Sequence, residues 1–529
     1  MDFTGDLRGL ALSCLLLFGV FLPAFANAGN ATCFDFIVVG GGTAGTAVAT
    51  RSSQYLPDDS ILVVEAGPFA PFEDKINIPG MKGSTLGTKY DWDFTSVPQA
   101  ALFNRTITQS RGKVLGGTSA LNLLIWDRGS KPEYDAWGQV GNSGWNWESM
   151  NAAMNKAEKF SNPGLPDYST DTGYGTAGPI NAVVNKFIPR QQDPRIPTAI
   201  DPGHYNRSYS AVEYLPRAGP NLRVMTNTQV AKINLESRRG GYVATGVTLL
   251  NGQVLEARKD VILPAGTISN PPLLEMSGIG NGTILEAAGI KPRIDLPGIG
   301  ECQNDGGYGR HGEISEYDYC ASAYSYQGRP SMLEANASAE LINTAKAVVA
   351  DTANNLVDAK KKLEYLANST LVTSIAQAEY VLSDGYTGGK GYPAKNTTLY
   401  GTGFTTIIAG LMHELARGSA HLNTTNTTAR PFYDPDFASN AHDLQALIAM
   451  AKYIRRIATT APFSEVWVDE YEPGSEVQSD AQWETFVRNN TNTFYHPVGT
   501  CAMLLRQETG VVDPMLLVLW DDEFEGGGC

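Results

Sequence analysis

The first strong signal along the chain is a run that is apolar on both faces, Phe36 to Val39, which predicts a strand buried inside a parallel sheet. A second run of the same kind, "SILVVEAG", ends at Glu65. Glycines fall between them, where the first strand must turn sharply into a helix. Further along, "NTQVAKI" alternates and predicts a strand that includes Val230. From Glu334 to Asn368 the chain is rich in Ala, Leu and Lys, with Leu341, Ala345 and Val348 at helical spacing, and predicts a long helical stretch packed on a core. "RPFYDPDFASNAHDLQALIAMAKYIRRIA" predicts another amphipathic helix after a proline-containing turn. Between Trp147 and Asn221 the pattern predicts loops rich in Pro and Gly, and no internal repeat is present. The amino-terminal run differs in kind. Arg8 precedes apolar residues as far as Leu22, and small residues follow at Ala26 and Ala28, the pattern of a secretory leader cleaved after Ala28. No later stretch approaches the roughly 20 apolar residues of a transmembrane helix.

Gly40, Gly42 and Gly45 stand at the G-x-G-x-x-G spacing, with Thr43 and Ala44 between the last two. In such a turn the first glycine permits the bend, the second lets backbone approach a pyrophosphate, and the third packs helix on strand. The N–H groups of the helix start then face the phosphates. Glu65 lies twenty residues beyond Gly45, where a carboxylate accepts a hydrogen bond from a ribose 2′-hydroxyl and repels a 2′-phosphate. The strand, turn, helix and second strand around these glycines point to a dinucleotide site in an α/β domain.

"GKVLGGTSALNLLIWDRGSKPEYDAW", Gly112 to Trp137, resembles the first signature of the glucose-methanol-choline (GMC) oxidoreductase family, with Gly112, Gly116, Gly117, Asn122, Trp126, Gly129 and Asp135 at its positions. "GTISNPPLLEMSGIG" resembles the second, with Asn270 where serine or threonine is usual. "YDWDFTSVPQ", "LPGIGE" and "HPVGTCAM" resemble further family stretches, in the expected order. The resemblance implies an α/β fold: a Rossmann-like FAD-binding domain with an α+β substrate-binding domain, both discontinuous in sequence. The expected division is a leader at 1–28, FAD-binding segments at 29–147 and 221–305, a connecting segment of the substrate domain at 148–220, the substrate-binding domain at 306–485, and a carboxyl-terminal FAD and catalytic segment at 486–529. Val114, Gly116, Gly117 and Asn122 are expected in a glycine-rich loop against the flavin and phosphates, and the Val230 backbone against the adenine. Leu121 stands where some members tether FAD through a histidine, which implies non-covalent FAD.

His496, in "HPVGT", is then the expected catalytic base, taking the proton of an alcohol while hydride passes to the flavin, with oxygen or a quinone as acceptor. Imidazole titrates near neutrality, and the cofactor carries the redox step. His204, His413, His421 and His442 are expected in surface or capping roles, and His311 has no assignment. Cys501 is expected to be a buried, inert thiol. Net charge is -15, which argues against nucleic acid, anionic membrane surfaces and polyanionic substrates. Ten Asn-X-Ser/Thr sequons, beginning at Asn30 and ending at Asn489, agree with a secreted, extracellular glycoprotein. Outside the leader the cysteines are Cys33, Cys302, Cys320, Cys501 and Cys529, an odd number without metal-ligand spacing, and Cys302 with Cys320 is a candidate disulfide.

Three departures from the family qualify this expectation. "GECQNDG" places Cys302 and Gly306 where asparagine and histidine are usual, and the stretch near "PRIPTAIDPGHYN" is short. After "GVVDP" the family continues into a further strand and helix with a second catalytic histidine or asparagine, whereas here "MLLVLWDDEFEGGGC" follows. Impaired activity, as in an aberrant gene model or splice form, is therefore expected of the chain as encoded. Two other readings stand beside the oxidoreductase: a hydroxynitrile lyase in which FAD is structural, and a non-catalytic secreted glycoprotein.

Overall fold

The computed structural model describes residues 31–161, 173–184, 197–238, 241–301, 304–305, 316–318, 323–324, 335–351, 357–368, 371, 375–383, 386–397, 400–401, 403–426, 428–465, 467 and 469–519. The expectations for the leader, Asn30, Cys302, Gly306, His311, Cys320, Cys529 and residues 520–529 lie outside the described residues.

β1 (Cys33–Val39) turns into α1 (Thr43–Tyr55), and the chain returns as β2 (Ile61–Val64). It then leaves for a second sheet through β3 (Leu124–Trp126), α2 (Trp147–Ala157), β4 (Glu158–Ser161), β5 (Ile180–Val184) and β6 (Pro197–Thr198). β7 (Leu222–Met225), β8 (Val230–Arg238), β9 (Gly241–Leu249) and β10 (Val254–Ile262) rejoin the first sheet. Its order is β8-β9-β10-β1-β2-β7. The neighbours β10, β1, β2 and β7 are parallel, and β8, β9 and β10 form an antiparallel meander. Ile37, Val38, Ile61, Leu62 and Val63 have no exposed surface, as expected of strands covered on both faces. The sheet order reverses at β1, with β2 on one side and β10 on the other, so a crevice opens at the carboxyl ends of these strands.

The second sheet has the order β11-β3-β6-β5-β4, with β11 at Glu316–Asp318. A third joins β12 (Ala323–Tyr324), β13 (Ala378–Ser383) and β14 (Thr406–Leu411). Where loops were expected between Trp147 and Asn221, the chain forms α2, three strands and a short helix, Ser210–Tyr214. The strands are only two to five residues long, so surrounding Pro and Gly mask their apolar signal. After α3 (Asn270–Met276), the helical stretch expected from Glu334 forms α4 (Ala335–Ala350) and α5 (Val357–Ala367), burying Leu341, Ala345 and Val349. α6 (Ala441–Ala458) starts where the Asn440 side chain accepts a hydrogen bond from Asp443 N, and it packs on β14 and α4. Among the described residues no helix is long and apolar enough to cross a membrane.

Candidate active site

Gly40 turns the chain at φ +106°, and a Cβ on Gly45 would lie 2.0 Å from Gly40 O, so both positions exclude side chains. α1 then starts with no side-chain cap and no acidic residue in its first turn. Its positive end is thereby left open to an anion. The loop 112–122 lies across this turn. Gly116 N donates to Gly41 O at 2.7 Å, and Thr43 Oγ1 donates to Gly116 O at 3.3 Å while accepting from Ser119 N at 3.2 Å. Gly117 approaches so closely that its Cβ would be 2.6 Å from Gly42 Cα. Val114, Leu115 and Leu121 fix the loop by burial in the core beneath it.

Glu65 is buried at the end of β2, where its two carboxylate oxygens accept from Gly41 N at 2.8 Å and Gly67 N at 2.7 Å. Burial pushes its carboxyl up to about 7, against the lowering effect of those two bonds. The carboxylate thus ties the glycine turn to the next loop, and each oxygen keeps further accepting capacity. From β7 the chain crosses this end of the sheet, with Asn227 N donating to Gly67 O and Thr228 N to Glu65 O, both at 2.9 Å. It enters β8 at Val230, which joins Val39 and Val64 in one buried cluster. Gly40, Gly42, Thr43, Ala44, Gly45, Glu65, Val114, Gly116, Gly117 and Val230 therefore gather around one crevice.

Asn122 and His496 line a cavity of about 1050 Å³ together with Thr118, Leu121 and Arg111. The backbone before His496 is tied down at several points. Thr493 Oγ1 donates to Gln109 Oε1 at 2.5 Å and accepts from Tyr495 N at 2.7 Å, while Arg111 Nη2 donates to Tyr495 O at 2.6 Å. After it, Pro497–Val498 pairs antiparallel with Asn304–Asp305, and Thr500 Oγ1 donates to Thr267 O at 2.7 Å. The Phe494 ring meets the imidazole edge-on at 5.6 Å. On the far side, Tyr386, Phe404 and Tyr471 pack against one another, and Glu472 accepts from Tyr386 Oη and from Gly389 N. These contacts pin the strap 386–389 as a wall of the cavity.

The expectation for the other histidines needs correction. His413, His421 and His442 are buried, and among the described histidines only His204 is exposed, beside Asp201. His421 Nδ1 lies 2.7 Å from Glu275 and its Nε2 3.2 Å from Glu301, while His413 Nε2 lies 3.0 Å from Glu133. Their carboxylate partners come from distant segments, so local polarity gave no sign of burial. Cys501 is half-buried rather than buried, and desolvation pushes its thiol up to about 12. Asn270, the mismatch in the second signature, accepts from Ala265 N at 3.0 Å. The residue that sequence reasoning missed is Arg207, buried under Asn122.

Two models of one family, GMC oxidoreductase, match the chain, at residues 34–192 and 202–302 for the amino-terminal part and 415–519 for the carboxyl-terminal part. The chain belongs to the GMC oxidoreductase family. It is 30% identical to a dehydrogenase of Armillaria gallica, an alignment covering 94% of this chain and 89% of that one. Pyranose dehydrogenase 3 of Leucoagaricus meleagris is 29% identical, with 91% and 86% covered. A solved fungal aryl-alcohol oxidase superposes with a TM-score of 0.71 at 25% identity, covering 92% of each chain. An FAD-dependent oxidoreductase from Chaetomium thermophilum shares the fold, with a TM-score of 0.76 at 24% identity and the same coverage. This GMC oxidoreductase is an FAD-dependent enzyme. Its crevice fits the cofactor, because the uncapped start of α1 suits a pyrophosphate and the side-chain-free Gly42 and Gly117 allow close approach.

Proposed function

We propose that this GMC oxidoreductase oxidises the CH–OH group of a small-molecule alcohol, with His496 as the base and oxygen or a quinone as the final acceptor. The observation that carries this reading is the shared cavity of His496 and Asn122, beside the loop that covers the start of α1. Bound FAD supplies the two-electron acceptor for hydride. A ring nitrogen of His496 takes the hydroxyl proton, a role for which imidazole is suited as a side-chain type. The α1 N–H groups at Thr43 and Ala44 hold the pyrophosphate, Glu65 accepts from the ribose, the Val230 backbone borders the adenine, and Asn122 contacts the flavin. With Leu121 at the tethering position, FAD is held without a covalent bond.

Secretion belongs to the same proposal. The leader pattern supports it, as does the exposure of the sequon residues Asn104, Asn206, Asn368, Asn396, Asn423, Asn426 and Asn489. The test of the reaction is anaerobic addition of an aryl alcohol or a pyranose to the purified holoprotein while the flavin absorption is followed. Bleaching is expected, and His496→Ala should slow it by roughly 10²–10⁴-fold. Equal rates in the two proteins would sink the role given to His496. Glycan release from protein secreted by a fungal host should lower its mass, and an unchanged mass would count against the glycoprotein reading.

A further inference from the structure

Two of the sequons, Asn104-Arg105-Thr106 and Asn489-Asn490-Thr491, lie far apart in the chain, and the fold brings them together. Arg105 Nη2 donates to Thr491 O at 2.5 Å across a sequence separation of 386, and Arg488 Nη1 donates to Ala101 O at 2.6 Å. The second sequon spans the end of α7 (Asp480–Asn490). In this helix Trp483, Phe486, Val487 and Asn490 follow the spacing of one face and line the large cavity. Trp483 and Val487 are buried, which anchors that face. Asn489 falls off the stripe and is exposed, yet it too borders the cavity. An exposed residue that borders a cavity belongs to its mouth.

The strap 386–389 frames the same mouth, with Thr387, Gly388 and Gly389 exposed. The two sides approach closely, since a Cβ on Gly389 would lie 2.8 Å from Asn490 Oδ1. Neighbouring asparagines differ in what their amides do. Asn490 Nδ2 donates to Phe486 O at 2.9 Å, which ties that amide to the helix. The side chains of Asn489 and Asn104 make no hydrogen bond with the described residues, so in both the nitrogen that an N-linked sugar uses is open. A sugar chain is bulky and hydrated. Fixed at the rim of an opening, it takes up the volume through which a large molecule must approach, while a small one passes. It acts on encounter rather than on chemistry, and the more so the larger the entering molecule. A second chain on Asn104, next to the cavity-lining Arg105, narrows the approach further.

We propose that the N-glycan on Asn489, with that on Asn104 beside it, is a size filter at the mouth of the active-site cavity. It admits small alcohols and small acceptors and excludes the same groups carried on a polymer. The proposal rests on the glycoprotein reading given above and on a flavin that faces this cavity, but not on which alcohol is oxidised or on His496.

The test begins with peptide mapping of the secreted holoprotein, which should find glycan on Asn489. An unmodified Asn489 beside other occupied sequons would overturn the proposal and leave the glycoprotein reading intact, whereas a protein without any glycan would end both. The flavin is then reduced with stoichiometric dithionite and mixed with a benzoquinone, either free or coupled to a long polyethylene glycol chain. Two electrons and two protons pass from the reduced flavin to the quinone, which leaves as hydroquinone, and absorption follows the reoxidation. Asn489→Gln should react with the polymer-borne quinone about tenfold faster than the parent, and with the free quinone within about twofold of the parent rate. Thr106→Ala removes the other sequon without replacing Asn104, whose φ of +59° suits asparagine, and should give a smaller gain of the same kind. Thr491→Ser keeps the Asn489 sequon and should match the parent; a gain there with its glycan intact would assign the effect to the loop and overturn the proposal. Equal gains with both quinones, or no gain, would overturn it as well. If Asn489→Gln does not fold, enzymatic trimming of the folded parent decides, because the same selective gain is expected and unchanged rates would remove the filter. No readout uses an alcohol, so failure of alcohol to bleach the flavin would end the proposed reaction and leave this inference standing.

Discussion

A carboxyl group that is both buried and hydrogen-bonded, such as Glu65, faces opposing demands. Desolvation wins, and its folded value of about 7 lies above the ordinary 4.5. The folded state therefore binds this proton more tightly than the unfolded state. That advantage is complete below about 4.5 and is lost as pH rises through about 7. A difference of this size corresponds to roughly 3 kcal/mol. Urea unfolding at pH 5 and pH 8 should thus show a larger loss of stability in the parent than in Glu65→Gln, and equal losses would mean that Glu65 ionises in the fold without penalty. Cys501 provides a simpler check. Both Cys501 and Cys33 are half-buried, so iodoacetamide at pH 8 should separate them by thiol chemistry: Cys501, raised to about 12, should alkylate more slowly than Cys33 in the native protein, as peptide mapping would show, and matching rates would contradict that raised value. The glycines and Glu65 were legible in the sequence because each answers a backbone or charge requirement of a turn with known spacing. Arg207 was not, since it lies in a polar loop and inside a sequon, where nothing marks the middle residue as buried.

Between elements, contacts that the hydrophobic pattern does not encode hold the segment around His496 in place. Hairpin Ser419–His421 and Phe432–Asp434 meets α3 and the loop at Gly300 through His421, which sits between Glu275 and Glu301. Gly300 N in turn donates to Thr500 O, four residues past His496. Burial alone would lower the His421 value, but its hydrogen bonds to Glu275 and Glu301 outweigh that and raise it to about 9. The resulting stabilisation is complete below about 6.5 and is lost as pH rises through about 9. His421→Ala should cost roughly 3–5 kcal/mol, because Glu275 is left buried without its partner, and Glu275→Gln in the same protein should recover part of it. Thermal melting of the two variants checks this, and additive losses would show that the pair is not coupled. The long apolar runs made β1, β2 and α6 legible. The strands of the second sheet were hidden by their shortness, and the buried histidines by partners far away in sequence.

For the molecule as a whole, FAD should act as part of the fold. A ligand that binds only the folded state, present at about 100 times its dissociation constant, stabilises by roughly 2.7 kcal/mol. Removing FAD should therefore lower the melting temperature, and adding FAD back should restore it in a concentration-dependent way. An unchanged melting temperature would mean that the crevice at the carboxyl ends of β10, β1 and β2 is not its site. The two-domain α/β plan was legible because the family motifs recur in order, while the mutual placement of distant segments was not, because register between sheets depends on side chains that meet only after folding. The order of the first sheet also bears on how the chain is made. β1 and β2 leave the ribosome early, but their partners β7 and β10 begin only at Leu222 and Val254, and His496 comes much later. Until Ile262 has been made, about half of the chain, the nascent protein holds the glycine turn with an unfinished sheet around it. Cofactor loading is therefore expected only after the first half of the chain has been made, and full enclosure only once the segment around His496 has followed.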